Sequence, residues 1–465
     1  MQSLNPTPTT TGPSTISVVD AAPRPAVFTY SPASQRIQTI DVVRGFALLG
    51  ILLMNIAFFG LPLMTYFPKL FSLPSDTLDF KVFATISIIF EGTMRALFSM
   101  LFGAGIILFT AKGDTLADGY TLADYYYRRL LWLVAFGLLN AYVLLWPGDI
   151  LYAYGLVGLL LFPFRKLKPR TLFVVAGLCF LISFGKGAWT GIEMKQNRAG
   201  YLQSIQLEKQ GKKLTDQQQK AKEAWLEVEK STRYDAKANN KTIQNMRSGY
   251  GAVFAELLPL NVRLQSSEFY KSMIWDTLIM MFLGMALFKW GFFSNAWRPR
   301  SYGIGLLAGY GIGLTLGYFT FQDGIAFYRN PGAVLDADGF PFQALYHIRR
   351  ASTAVGHASL LLLVYRSGLV PWLMKGLANV GQMAFTNYLM QSVLCSLFFY
   401  GYGLGYYARL SFVELYYVVA AVWLFQLIFS AVWLRYFRFG PLEWLWRSLT
   451  YWKWQPMRLT TEPAL

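Results

Sequence analysis

Ten apolar segments separated by polar connections constrain the fold of this chain more than any other feature of its 465 residues. A helix of about 20 apolar residues crosses a hydrocarbon core of about 30 Å. Inside a bilayer no water binds the backbone amides, and a helix satisfies those amides internally. The sequence therefore predicts an all-α polytopic bundle of transmembrane helices. The segments are residues 41–63, 82–111, 129–147, 149–165, 170–191, 271–292, 301–322, 343–365, 376–400 and 412–435.

Composition agrees with a membrane protein. Hydrophobic residues make up 54% of the sequence and charged residues only 14%, against roughly 25% charged residues in soluble domains. The formal net charge is +17, but the basic residues stand in short loops, where they act as topology signals and contact anionic lipids. No nucleic-acid partner is expected. Cys179 and Cys395 both lie inside apolar segments, so neither a disulfide framework nor a metal site is predicted.

The distribution of Lys and Arg among the short connections predicts the orientation in the membrane. With an even number of crossings, most of these basic residues fall on the side that also holds both chain ends. Basic residues in short loops mark the cytoplasmic side. We therefore predict a multi-pass protein of the bacterial cytoplasmic (inner) membrane, with the N and C termini in the cytoplasm.

The same pattern divides the chain into four regions. Residues 1–35 form a predicted disordered tail, and residues 36–191 form an N-terminal membrane part of five helices. Residues 192–270 form a charged helical insert outside the membrane, either a solvated cap or a lid over a site that faces outward. Residues 271–465 form a C-terminal five-helix part with a cytoplasmic tail. The end of the insert, residues 249–264, is predicted to lie in the interface or to re-enter the membrane.

The first predicted helix carries charged residues near its N-terminal end, which is predicted to lie on the cytoplasmic side. Asp41 and Arg44 are three residues apart and so neighbours on a helix, and a carboxylate partner lowers the cost of an arginine near hydrocarbon. Asn55 lies on the same face as Arg44, about 16 Å along the helix. Arg128 and Arg129 stand at the same inner level. These basic residues are predicted to bind lipid phosphates or a phosphorylated donor.

Ionisable side chains inside membrane spans are costly and are therefore candidates for function. Glu91 and Arg95 are one helical turn apart and are predicted to pair; alternatively, Arg95 binds an anionic group. Asp149 stands at a tight turn between two helices, where it would cap a helix or act as a general base. Asn140 is predicted to lie at the same level.

Two histidines stand near the start of the eighth predicted helix. His357 shares a helix face with Arg350 and is the better candidate for proton transfer, because His347 is rotated away and shallower. Three further polar candidates are Asp276, Asn387 and Gln391. These either bind substrate or form interhelical hydrogen bonds. Most of the ionisable residues fall in the outer half of the membrane, which predicts a polar cavity that opens outward.

Five sequence motifs resemble the YeiB-type family of bacterial membrane proteins. The motifs are RIQTIDVVRGFALLGILLMN at 36–55, FEGTMRALFSMLFGAG at 90–105, WPGDILYAYGLVG at 146–158, GQMAFTNYLMQS at 381–392 and FRFGPLEWLWRSLTYWKWQPMR at 437–458. Together they are spread over nearly all of the chain outside the tail and the insert. The segment GPLEWLWR is the most specific of them.

The first motif is also distantly similar to the opening segments of the heparan-α-glucosaminide N-acetyltransferase family and of the type-3 membrane acyltransferases. That resemblance implies acyl transfer to a saccharide or lipid-linked acceptor, with acyl-CoA as a candidate donor. The type-3 enzymes have a histidine where this chain has Asn55, and the heparan enzymes have one in the loop after the first helix, where this chain has none. An acyltransferase would need His357, Glu91 or Asp149 as its base.

Three functions are left open by the sequence. The first is transfer of an acyl group from a cytoplasmic donor to an acceptor reached from the outer face. The second is transport or lipid handling through the outward cavity, and the third is a structural or regulatory role. The missing histidines count against catalysis, and the lack of an internal repeat counts against a standard secondary transporter. Membrane lipids are expected partners, and a homodimer is left open.

Overall fold

The computed structural model describes residues 37–111, 120–337 and 341–459, and these ranges contain no β-strand; an isolated bridge joins Phe437 and Arg458. The predicted all-α fold is confirmed. Helices α1 to α9, in chain order, are Gln38–Gly60, Leu63–Ser72, Leu78–Ile89, Thr93–Thr110, Leu122–Tyr142, Leu151–Leu161, Pro169–Lys209, Asp216–Ser231 and Ala236–Met246. Helices α10 to α18 are Tyr250–Arg263, Ile274–Lys289, Pro299–Arg329, Pro331–Asp336, Tyr346–Ser367, Pro371–Gln382, Ala384–Phe399, Leu415–Tyr436 and Pro441–Tyr451.

Length and hydropathy identify this chain as a membrane protein. Within the described residues, six helical stretches are long and apolar enough to cross a bilayer. They are Gln38–Gly60, Leu78–Thr110, Pro169–Lys209, Tyr250–Lys289, Pro299–Arg329 and Leu415–Tyr436. Each of the ten predicted segments overlaps a helix, but those at α5, α6, α14 and α16 are shorter or more polar than these six. The number of ten crossings stays a prediction.

The second predicted span is not one straight helix. It breaks between α3 and α4, where Gly92 adopts a left-handed backbone conformation with φ of 68°. Glycine is the residue that takes this conformation without steric cost. The break leaves the carbonyl groups at the end of α3 without partners along their own helix. Side chains of α14 donate to the carbonyls of Ser87, Ile89 and Glu91 instead. Arg350 adds a second donor to the Gly92 carbonyl, which also accepts from the Ala96 N–H in α4.

Helix α1 lies at the centre of the bundle. It contacts α4, α14, α15, α16 and α17, and most of its side chains are buried. Beside it, α4 and α11 approach very closely, because a Cβ atom at Gly103 would overlap the Met281 carbonyl and one at Gly284 would overlap the Met100 carbonyl. Close approach through small residues stabilises helix pairs in lipid. Gly105, in the same helix as Gly103, faces open space.

The region predicted as an insert is continuous with the membrane helices on both sides. Helix α7 runs unbroken from Pro169 to Lys209, past the predicted boundary at residue 191. Helix α8 folds back against its far end, where Lys222 pairs with Glu208 at 2.6 Å. The segment predicted to lie in the interface or to re-enter is α10, and a π-helix over Leu264–Met273 joins it to α11.

Candidate functional site

Six ionisable side chains meet where α14 crosses the break between α3 and α4. The break contributes one of them, α4 one, α11 one, and the start of α14 three. We call this set the charge cluster. Its members are Glu91, Arg95, Asp276, His347, Arg349 and Arg350.

Glu91 pairs with Arg349. The Arg349 Nη2 atom contacts the Glu91 carboxylate and also donates to the Glu91 backbone carbonyl at 3.1 Å. The Tyr346 hydroxyl donates to Glu91 Oε1 at 2.8 Å. The predicted pairing of Glu91 with Arg95 is therefore wrong. The two residues stand on opposite sides of the Gly92 break, so the helical spacing that would bring them together does not apply.

Asp276 holds the other half of the charge cluster together. Its Oδ1 atom contacts Arg350 Nη1, and its Oδ2 atom lies 3.2 Å from Arg95 Nη2. Arg350 is fully buried, and its Nε atom donates to the Gly92 carbonyl at 2.9 Å. A Cβ atom at Gly92 would lie only 2.6 Å from that Nε atom. The backbone break is thus part of the site, because it leaves room for the Arg350 guanidinium.

The charge cluster has an excess of positive charge. Three arginines face two carboxylates, which leaves one positive charge when His347 is neutral. Among the described residues, the buried atoms Arg350 Nη2, Arg349 Nε and Arg95 Nε have no hydrogen-bond partner. An uncompensated guanidinium inside a membrane protein is costly. The arrangement can therefore accept one anionic group, such as a carboxylate, a phosphate or a developing oxyanion.

A serine, a histidine and an aspartate lie in series at the edge of the charge cluster. The Ser183 Oγ atom, on α7, is 2.9 Å from His347 Nε2, and His347 Nδ1 is 3.2 Å from Asp276 Oδ1. The Nδ1 contact is close but not directed as a hydrogen bond. With the proton on Nδ1, Nε2 accepts from the serine hydroxyl. The order of these groups is that of a nucleophile, its base and the carboxylate that orients the base.

His357 lies apart from this series. Its Nδ1 atom is bonded to the Tyr310 hydroxyl at 2.8 Å, its Nε2 atom lies 3.2 Å from the Ile89 carbonyl, and its ring contacts Phe46 and Phe90. His347, which was predicted to be rotated away from Arg350, contacts the same Asp276 carboxylate as Arg350 does, whereas the proton-transfer role predicted for His357 stays a prediction. The charge cluster lies at the first turn of α14, so the shallower histidine reaches it.

Asp149 and Asn140 form a second, separate polar pair. Asn140 Nδ2 donates to Asp149 Oδ1 at 2.8 Å, and the Tyr152 N–H donates to Asp149 Oδ2 at 2.8 Å. Asn140 is fully buried and Asp149 nearly so. Both carboxylate oxygens have partners, and one of them satisfies an amide in the first turn of α6. This geometry matches the helix-capping interpretation of Asp149.

The polar residues of α16 join it to α17. Asn387 Nδ2 donates to Ser430 Oγ at 2.9 Å, and Gln391 Nε2 donates to Gln426 Oε1 at 3.1 Å. These contacts match the alternative of interhelical hydrogen bonds. Asn55, on α1, is half-buried. Its predicted role in substrate binding stays a prediction.

The basic residues of the inner edge make contacts within the bundle. Arg44 pairs with Asp41 at 2.8 Å, which confirms the predicted partner. Arg128 Nη1 donates to a backbone carbonyl of α18 at 3.2 Å. The Arg129 guanidinium lies 3.7 Å from the ring centre of Trp446. Their predicted binding of a phosphorylated donor stays a prediction.

Two hollows among the described residues are lined by other side chains than those of the charge cluster. One, of about 360 Å3, is lined by Trp132 and by residues 448, 449 and 452–454. A much smaller apolar one lies between α1, α2 and α3. Neither is lined by a predicted site residue. Of the polar groups predicted to surround an outward cavity, Glu91, Arg95, Asp276 and Arg350 lie in the charge cluster, where their charges pair.

Sequence reasoning missed Ser183 and the roles of His347 and Arg349. The consecutive arginines at 349 and 350, at the start of a membrane span, were a usable signal, since two adjacent arginines there need two separate partners. Ser183 stands in LISFGKG, which contains no nucleophile motif. Only the packing of α7 against the start of α14 identifies it.

Known proteins match this chain over about nine-tenths of its length. Residues 287–453 match the family described as "Protein of unknown function (DUF418)". The chain is 30% identical over 430 residues to "Uncharacterized protein YeiB" of Escherichia coli (strain K12), covering 90% of this chain and 96% of that protein. It is 29% identical over 434 residues to "Uncharacterized protein YxaH" of Bacillus subtilis (strain 168), covering 92% and 98%. No solved structure matches. The similarity to acyltransferases stays a prediction.

Proposed function

The chain belongs to the YeiB-like (DUF418) family of membrane proteins, and from that premise we propose that it transfers an acyl group in the outer half of the cytoplasmic membrane. The observation that carries the proposal is the series Ser183, His347 and Asp276 beside the arginines of the charge cluster. His347 replaces His357, Glu91 and Asp149 as the candidate base, because it alone touches both a hydroxyl and a carboxylate side chain among these contacts.

The chemistry follows from the order of the three groups. Ser183 Oγ attacks the carbonyl carbon of an acyl donor, and its proton moves to His347 Nε2. Asp276 stabilises the imidazolium, and the leaving group takes the proton as it departs. An acceptor hydroxyl or amine then gives its proton to His347 and attacks the acyl-serine, and His347 passes that proton to the departing Ser183 oxygen, which restores the free serine. The excess positive charge of the charge cluster stabilises the oxyanion that forms in each step.

The depth of Ser183 bears on the donor. Ser183 lies 14 residues, or about 21 Å, from the start of α7 at Pro169, on the side predicted to be cytoplasmic. An acyl-CoA held by Arg44, Arg128 and Arg129 would have to extend its acyl group over that distance. An acyl ester in the outer leaflet reaches Ser183 directly. We therefore favour a membrane-lipid donor, with a saccharide or lipid-linked alcohol as the acceptor on the outer side.

An active-site-directed fluorophosphonate tests this proposal, because it reacts with activated serines only. We expect the purified protein to be labelled at Ser183, as mapped by peptide mass spectrometry, and Ser183→Ala to abolish the label. His347→Ala should slow labelling by about 100-fold or more, the usual effect of losing a general base. Ser272→Ala, at an exposed serine on the π-helix, serves as the matched control and should label normally. Unlabelled wild type, or equal labelling of Ser183→Ala, would reject the proposal.

Transport of an anion is the second candidate, and the excess positive charge with the unpartnered Arg350 Nη2 favours it. The two functions differ in their need for the serine. A transporter would keep its uptake in the Ser183→Ala variant and lose it in Arg350→Ala. An acyltransferase loses product formation in both variants.

A further inference from the structure

The hollow of about 360 Å3 is lined by no residue of the charge cluster. We call it the tryptophan hollow. It is lined by Trp132, Ser448, Leu449, Trp452, Lys453 and Trp454. One wall is α5, and the other is the end of α18 with the turn that follows.

Helix α18, which forms one wall of the tryptophan hollow, is held in place by side chains on its other face. The Trp446 indole donates to the Arg129 carbonyl at 2.8 Å, which ties α18 to α5. The Glu443 carboxylate accepts from the Phe385 N–H at 2.7 Å, at the start of α16. Burial raises the pKa of this carboxyl group, although the amide bonds favour its ionised form. The tryptophan hollow therefore has a rigid side.

The chain reverses after α18 and presents aromatic rings at the membrane edge. Trp452 adopts a left-handed conformation with φ of 51°, and Trp454 then stacks on Trp444 with ring centres 5.1 Å apart. The Trp444 indole donates to the Gln455 carbonyl at 2.7 Å and holds the turn. Trp452 is 77% exposed and Trp454 is 73% exposed. Exposed tryptophans in a membrane protein lie at the lipid headgroup level.

The rim of the tryptophan hollow is basic. Lys453 lines it and is exposed, and the Arg128 guanidinium lies 5.3 Å from the ring centre of Trp452. Residues 435–459 include Arg435, Arg438, Arg447, Lys453 and Arg458 but one acidic residue, Glu443. The Glu443 carboxylate is turned inward to α16. The occupant must therefore combine a negative charge with an apolar part.

We propose that the tryptophan hollow binds one anionic phospholipid. Lys453 and Arg128 take its phosphate, and Trp132 and Leu449 contact the upper methylenes of an acyl chain. The negative phosphate of such a lipid matches the positive charges of Lys453 and Arg128. Its apolar acyl chain matches the indole of Trp132 and the side chain of Leu449. The site is independent of the acyl-transfer proposal, since it shares no residue with the charge cluster.

Photo-crosslinking in nanodiscs tests the site. The full-length protein is placed in phosphatidylcholine discs with a trace of phosphatidylglycerol that carries a diazirine on its acyl chain, and crosslinked residues are mapped by mass spectrometry. We expect adducts at Trp132 and within residues 448–454. Excess unlabelled phosphatidylglycerol should displace them, and phosphatidylcholine should not.

Charge reversal gives the decisive comparison. Lys453→Glu should weaken displacement by phosphatidylglycerol about fivefold or more, the expected effect of one basic contact at a membrane surface. Lys375→Glu, at an exposed lysine of α15 that does not line the hollow, should have no effect. Lys453→Gln replaces Lys453→Glu if that variant does not fold. Equal displacement by phosphatidylcholine, or adducts unchanged in both Lys453 variants, would overturn the proposal.

Discussion

Single residues decide whether the break between α3 and α4 can exist inside a membrane. Arg349 is nearly fully buried, and its guanidinium contacts both the side-chain carboxylate and the backbone carbonyl of Glu91 at the break. Glu91→Ala leaves this arginine without its counter-charge. We expect the free energy of unfolding to fall by about 2 to 4 kcal/mol, as for other broken buried pairs, measured by SDS titration in mixed micelles.

Exchanging the charges of Glu91 and Arg349 tests whether the two side chains interact or whether each contributes to stability independently of the other. Glu91→Arg combined with Arg349→Glu should be more stable than either single reversal. Glu193→Ala, at an exposed acid of α7, is the matched control and should change stability by less than about 0.5 kcal/mol. Losses that simply add in the double variant would show that Glu91 and Arg349 do not interact.

The sequence predicted residue pairs correctly only where the helix is continuous. Asp41 and Arg44 lie three residues apart in the unbroken α1 and pair as expected. Glu91 and Arg95 have similarly helical spacing, but Gly92 turns the chain between them. The partners of Asp276 come from α4 and α14, and no local spacing predicts contacts between separate helices. Ser183 was missed for the same reason.

We expect the charge cluster to require the break between helices α3 and α4. Gly92→Ala adds a Cβ atom 2.6 Å from Arg350 Nε and 2.7 Å from the Tyr346 hydroxyl, at a φ that disfavours side chains. We expect a loss of about 1 to 3 kcal/mol in stability, from backbone strain and displaced side chains. Fluorophosphonate labelling of Ser183 should fall as well, since Arg350 and His347 share Asp276.

Gly105→Ala is the matched control for this prediction. It lies in the same helix, α4, with an ordinary helical φ and open space where its Cβ would stand. Alanine is the better helix former, so stability should hold or rise by up to about 1 kcal/mol. If Gly92→Ala were tolerated equally well, the break would be a local detail and not part of the site. Hydropathy located the helices of this chain, but it could not locate this break, because glycine is also common in unbroken membrane helices.

At the scale of the whole molecule, the helix ends separate into two layers. At one end, Thr39 donates to the Phe293 carbonyl at 2.8 Å; at the other, the Ala408 N–H donates to the Gly60 carbonyl at 2.7 Å. Because α1 joins the two layers, the distance between them follows from its 23 residues, about 35 Å. Hydropathy predicted the helices that bridge the layers. It could not predict which helices are neighbours, since a lipid-facing and a protein-facing apolar residue look alike in sequence.

The layer that holds α8 is predicted to face outward, and cysteine accessibility tests that orientation. In a background with Cys179 and Cys395 replaced by alanine, Lys220→Cys should react with an impermeant thiol reagent in intact cells. Arg300→Cys, exposed in the opposite layer, should react only after permeabilisation. The contrast follows because the Lys and Arg residues of the short connections concentrate in the layer of Arg300, and basic short loops stay in the cytoplasm. The reverse labelling pattern would show that the protein has the opposite orientation. Ser183 would then lie in the inner half of the membrane, and acyl-CoA would be favoured over an outer-leaflet lipid as the donor.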